Sequence, residues 1–149
     1  MRSKIFKFAR QPYSMNYKKL NIIGGWLTFL IATIVYLLTI EPTTSFWDCG
    51  EFIASAYKLE VAHPPGAPFF MLLARFFTLF VPLEFVPTSV NVLSALCSSF
   101  TILFLFWTVT AFAKKIAIKK YGEISQGTAL AIVFSGVVGG LVYTFSDSF

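Results

Sequence analysis

IIGGWLTFLIATIVYLLTI, Ile22 to Ile40, runs for nineteen residues without a charge. As an α-helix it is about 28 Å long, close to the thickness of a bilayer's hydrocarbon core. The whole chain agrees with that stretch. Of its 149 residues, 56% are hydrophobic and only 13% are charged, and the mean hydropathy is +0.73. A water-soluble domain of this length needs far more polar surface, so the composition points to a membrane protein. A basic start followed by an apolar run also describes a signal peptide. This run is long for a signal core, and TIEPTTSFWDCG offers no small-x-small cleavage site. Residues 22–40 are therefore expected to form an uncleaved first span.

Two further stretches have the same character. Thr88 to Ala113 is long and apolar and stops at Lys114-Lys115, and Gly127 to Phe145 carries Gly136, Gly139 and Gly140, which permit close helix contact. Pro68 to Val81 is shorter, about 21 Å as a helix, a length suited to an interfacial segment rather than a span. The basic residues decide between the two layouts this leaves. Arg2, Lys4, Lys7, Arg10, Lys18 and Lys19 precede every acid, and Lys114, Lys115, Lys119 and Lys120 form a later cluster. Both clusters share the cytoplasm only if residues 68–81 do not cross, as the positive-inside rule favours. Because both abut apolar runs, they speak for topology and against nucleic acid as a partner.

The expected fold is an all-α integral membrane protein with three transmembrane helices. A basic cytoplasmic head, 1–21, precedes the first span. An outer-face loop, 41–87, holds a short helix near 48–61 and an interfacial helix at 68–81. Spans at 88–113 and 127–145 flank a basic cytoplasmic loop, 114–126, and residues 146–149 begin a second outer loop. The ending SDSF, directly after a span, reads as the front of something longer. Cys49 and Cys97 form no disulfide framework and no metal-ligand spacing.

The chemistry is concentrated in EPTTSFWDCGEFIASAYKLEVAHPPG, Glu41 to Gly66. It holds four of the seven acids, the only histidine and three of the seven prolines. Asp48 and Glu51 are spaced D-x-x-E ahead of apolar residues at helical period, which sets both carboxylates on the first turn of a helix. Two uses fit that placement. Asp48 with Glu51 at N3 is a capping box, with Ser45 and Asp48 a second candidate one turn earlier. Alternatively, carboxylates held ionised at a helix N-terminus accept a proton or a metal ion. Two prolines and Gly66 explain the turn after the helix but leave His63 unexplained. It is either a solvated loop residue or a contact for a phosphate or the neighbouring acids. Trp47 and Tyr57 read as interfacial anchors. Arg75 sits in the interfacial helix, its stem in the apolar layer and its head within reach of water or phosphate. Asp147 follows the third span, where capping is the ordinary role. A divalent ion fits two acids and a histidine in reach, and nothing in the sequence requires one, so no cofactor is assigned.

These residues resemble a known family. A first span, an outer loop with an Asp and a nearby Glu, then HPP, an interfacial helix and further spans is similar to the opening of GT-C glycosyltransferases. More closely, EPTTSFWDCGEFIASAYKLEVAHPPGAPFF resembles the bacterial DUF2723 family, related to the transmembrane protein 260 type of protein O-mannosyltransferase. The likeness begins near Tyr17. It implies an enzyme that moves mannose or a similar hexose from a polyprenyl-phosphate carrier to Ser or Thr of exported proteins, with inversion. The implied setting is the periplasmic face of a bacterial inner membrane, with lipid around the spans and the N-terminus in the cytoplasm. Asp48 takes the place of the family's base, and Glu51 would orient the acceptor or assist. The classical mannosyltransferase has its Glu directly after the Asp, whereas Cys49 and Gly50 intervene here. His63 and Arg75 become candidates for the carrier phosphate. Asp147 falls where some GT-C enzymes hold a second acid.

Two other classes compete. A transporter or channel front end is suggested by the Gly-rich third span and by Arg75 in an apolar run. It places ionisable residues inside spans, and none falls inside the three assigned here. A non-catalytic membrane assembly subunit needs only the apolar helices, and would tolerate replacement of Asp48 and His63.

Overall fold

The computed structural model describes residues 17–45, 47–63 and 66–146. Most of the basic head, Pro64-Pro65 and Asp147 lie outside them. The described residues form five α-helices and no strand: α1 (Tyr17–Thr39), α2 (Cys49–Lys58), α3 (Pro68–Thr78), α4 (Val86–Tyr121) and α5 (Gln126–Thr144), with a 3-10 turn at Leu83–Phe85 before α4. Helices α1, α4 and α5 are each long and apolar enough to cross a membrane. The fold is all-α and integral to the membrane.

Helix α4 is longer than its apolar core. At 36 residues it extends about 54 Å, well beyond a hydrocarbon layer of roughly 30 Å. Residues 114–121, expected in a loop, continue the helix. Hydropathy falls at Lys114-Lys115, but lysine, isoleucine and alanine carry a helix onward and lysines suit its C-terminal end. The helix stops where Gly122 takes φ 75° and its N–H closes on the Ile118 carbonyl at 2.9 Å, a glycine C-terminal cap. The connection is then only Gly122–Ser125. Ser125 opens α5 by accepting the Thr128 N–H on its hydroxyl at 3.3 Å.

The described residues divide into two compact units, those up to Leu30 with those from Ile102 onward, and those within Ile31–Thr101. In the first, α1, α4 and α5 meet through small residues. A Cβ on Gly136 would lie 2.6 Å from Thr110 Cγ2 and 2.9 Å from the Phe106 ring, and one on Gly140 would lie 2.8 Å from Thr28 Cγ2. Helices approach this closely only where a side chain is missing. Phe106, Ile102 and Leu103 are fully buried there. Thr28 and Thr110, also buried, return their hydroxyls to the carbonyls of Gly24 (2.8 Å) and Trp107 (3.1 Å), so neither of these two protons is left unpaired in an apolar layer.

The second unit carries the polar segment. Ile53 and Ala56 of α2 are buried with Met71 and Ala74 of α3 and Val86, Val90 and Leu93 of α4. Phe52 meets Phe70 edge to face at 5.9 Å. The opposite face of α3 exposes Phe69, Leu72 and Phe76. With eleven residues, about 16 Å, α3 is too short to span. Pro68 starts it at N1, where its missing N–H costs no hydrogen bond.

Candidate functional site

Asp48 is the N-cap of α2. Its carbonyl accepts the first helical N–H, from Phe52, at 3.0 Å. Its side chain makes no capping bond, so the capping box open in the sequence is not formed. Glu51, at N3, turns instead towards the segment that follows the helix. What brings that segment back is the end of α2. Leu59 adopts the left-handed conformation, φ 57° and ψ 41°, and Glu60 donates its N–H to the Ser55 carbonyl at 2.9 Å. Ala62 then buries its methyl in the core. The chain is thereby returned to the start of α2 with His63 against Glu51.

Both Glu51 oxygens are engaged. Oε1 accepts the His63 backbone N–H at 2.7 Å, and Oε2 meets His63 Nδ1 at 2.7 Å. The other ring nitrogen, Nε2, faces Asp48 Oδ2 at 3.8 Å, an ion-pair separation too long for a hydrogen bond. The backbone N–H of His63 is the main cause that lowers the Glu51 pKa, followed by its ring. The hydrogen bond to Glu51 raises that of His63, helped by the charges of Glu51 and Asp48. All three side chains remain open to water, with 61% of Asp48, 39% of Glu51 and 51% of His63 exposed.

Chemically, the site is an imidazole held on one side by a carboxylate, whose hydrogen bond and charge favour the protonated ring, and facing a second carboxylate at 3.8 Å. One donor atom from each of the three residues also lies within 4.8 Å of the others. In kind, two carboxylates and an imidazole suit a divalent cation.

The structure gathers Asp48, Glu51 and His63 but not Arg75. The Arg75 guanidinium donates Nη1 to the Tyr57 carbonyl and stacks over the Tyr57 ring at 5.4 Å. It grips the C-terminal end of α2, about 13 Å along the helix axis from Asp48. Asp147 lies outside the described residues. Trp47, one residue before Asp48, is 96% exposed and holds φ 65°, a conformation rare for an aromatic residue.

Asn91 and Thr88 escaped the sequence reading. Both lie in α4, inside the stretch assigned to the second span. Thr88 donates to the Pro42 carbonyl at 2.7 Å. Asn91 Nδ2 donates to the carbonyls of Glu41 and Thr43, each at 2.9 Å, and Oδ1 accepts from the Cys49 thiol at 3.8 Å. The available signal was an amide in an otherwise apolar helix, which needs polar partners.

Comparison with known proteins adds an independent line. Residues 48–149 match the family described as Protein O-mannosyl-transferase TMEM260 N-terminal domain. Over 94 residues, 62% of this chain, the sequence is 34% identical to the Protein O-mannosyl-transferase tmem260 of Dictyostelium discoideum. Over 86 residues, 58% of this chain, it is 37% identical to the Protein O-mannosyl-transferase TMEM260 of Mus musculus. Each match spans 12% of the relative's own length. No solved structure matches the chain.

Proposed function

We propose, from the premise that this chain belongs to the family of Protein O-mannosyl-transferase TMEM260 N-terminal domains, that it supplies the base of a membrane protein O-mannosyltransferase. The observation that carries the reading is the state of Asp48. It stands at the start of α2, exposed to water and making no capping bond, with a fixed histidine beside it.

The donor is a mannosyl polyprenyl phosphate and the acceptor a Ser or Thr of an exported protein. Asp48 takes the acceptor hydroxyl proton as that oxygen attacks the anomeric carbon. The bond to the carrier phosphate breaks on the opposite side, so the configuration inverts, and the electron pair leaves with the phosphate. His63, whose protonated form Glu51 favours, offers Nε2–H to the developing phosphate charge. Arg75, expected on the same phosphate, holds the end of α2 instead. The α4 lysines suit the cytoplasmic side and the 41–87 segment the opposite, non-cytoplasmic side. The apolar outer face of α3 rests in the lipid interface there.

The test is transfer of labelled mannose to protein by the whole protein in membranes. Asp48→Asn should lower transfer by about 100- to 10,000-fold while the protein accumulates normally. Transfer at the wild-type rate by that variant would remove the assignment.

A further inference from the structure

We infer that Asn91 is a positioning residue that fixes Asp48 from the membrane helix α4. This inference rests on the proposed role of Asp48. The described residues of the segment between α1 and α2 form no helix, and Asp48 stands at its end. Three side-chain bonds from α4 tie down its first residues, beside the Thr43 hydroxyl's own bond to Glu41 Oε1 at 3.0 Å. Thr88 supplies one, to the Pro42 carbonyl at 2.7 Å. Asn91 supplies two, using both amide hydrogens on the carbonyls of Glu41 and Thr43 at 2.9 Å.

The other end of the same amide reaches α2. Asn91 Oδ1 accepts the thiol of Cys49 at 3.8 Å, and Cys49 is the residue directly after Asp48. One side chain therefore grips the segment entering the site and the helix leaving it. Residues 41–45 are exposed, whereas Asn91 is half-buried. Water can compete for the carbonyls, but it cannot reproduce an amide that bonds both sides of Asp48 at once. Val90 and Leu93, on either side of Asn91, are buried in the core that holds α2 and α3, so the amide is presented from a packed element. A base that must meet a hydroxyl in hydrogen-bond range loses rate steeply when its backbone drifts by an ångström.

The experiment uses the whole protein in membranes and two substitutions. Asn91→Ala deletes the amide. Asn91→Asp keeps its size and the acceptor for Cys49, but sets an oxygen against the carbonyls of Glu41 and Thr43. Two readouts are taken. Alkylation of Cys49, followed by mass spectrometry on the peptide that carries it, should speed up roughly tenfold in Asn91→Ala, which loses the acceptor for the thiol, and not in Asn91→Asp, which keeps it. In the transfer assay kcat should fall by about 100-fold with little change in the KM for the lipid donor. Wild-type kcat in Asn91→Asp would overturn the inference, as would wild-type alkylation in Asn91→Ala or a loss confined to KM. If Asn91→Ala does not accumulate, Asn91→Asp alone decides. Asp48→Asn is run alongside. Normal transfer by that variant removes the role of Asp48, and the alkylation rates then still decide whether Asn91 holds the segment.

Discussion

Glu51 and His63, twelve residues apart, are joined twice, once through the histidine's backbone N–H and once through its ring, each at 2.7 Å. A carboxylate that binds main chain and side chain of one residue fixes both its position and its ring orientation. The second ring nitrogen is consequently aimed at Asp48 rather than left to rotate.

Replacing Glu51 by Gln should undo that aim. Gln keeps an oxygen for one of the two contacts but removes the negative charge. The His63 pKa should fall back towards its ordinary value, because the hydrogen bond and the charge that raise it come from Glu51. Titration of the His63 ring by NMR in detergent micelles checks this, and an unchanged midpoint would contradict it. Mannosyl transfer should fall by about tenfold to 100-fold, as expected for a misplaced group.

The same pair makes stability depend on pH in two directions. His63 has a raised pKa in the folded protein. Its contribution is complete below the ordinary histidine value near 6.5 and is lost as pH rises through the raised one. Glu51 has a lowered pKa. Its contribution is present above the ordinary glutamate value, near 4.3, and is lost as pH falls through the lowered one. Both groups are open to solvent, so the effect is small. Thermal unfolding of wild type and His63→Ala across this range should give curves that differ most between those limits. Superimposable curves would show that the pair contributes nothing.

Two helix starts should answer oppositely to truncation. Ser125 caps α5 through the Thr128 N–H, and Ser125→Ala should cost about 1 kcal/mol. Asp48 makes no such bond, so Asp48→Ala should leave the melting temperature where it is. Melting curves of both variants are the check. A loss of stability in Asp48→Ala as large as that in Ser125→Ala would return Asp48 to an ordinary cap.

The glycines of α5 should not be equivalent. A Cβ at Gly136 meets Thr110 and Phe106 below 3.0 Å, whereas one at Gly139 meets only Val109 Cγ2 at 3.6 Å. Gly136→Val should cost about 1–3 kcal/mol through overpacking, and Gly139→Ala should be tolerated. Unfolding in detergent would show it, and equal losses at both positions would contradict the packing.

Much of this was legible in the chain, for identifiable reasons. Apolar runs of span length are long-range signals that survive any local detail, so α1, α4 and α5 were recognisable. Their ends were not, because hydropathy reports the solvent and not the helix, and α4 runs through its lysines to Gly122. The pairing of Asp48 and Glu51 on one turn followed from their spacing. Which bond each makes did not, since a capping box and a free acid share that spacing. The return of His63 depends on the left-handed Leu59, a position where no glycine announced the reversal. Arg75 was placed by charge alone, and its partner is a backbone carbonyl, which no sequence displays.

The four-residue link Gly122–Ser125 bears on biogenesis. A connection that short spans at most about 14 Å, so the ends of α4 and α5 that it joins emerge together on one side of the bilayer. The two helices are therefore built to enter as a hairpin, each covering the other's small and hydroxylated residues during insertion. Lengthening the link with a flexible Gly-Ser segment would leave both helices intact yet separate their entry. The defect would then be seen in newly made chains, as slower integration and faster turnover, while molecules already assembled would work as before.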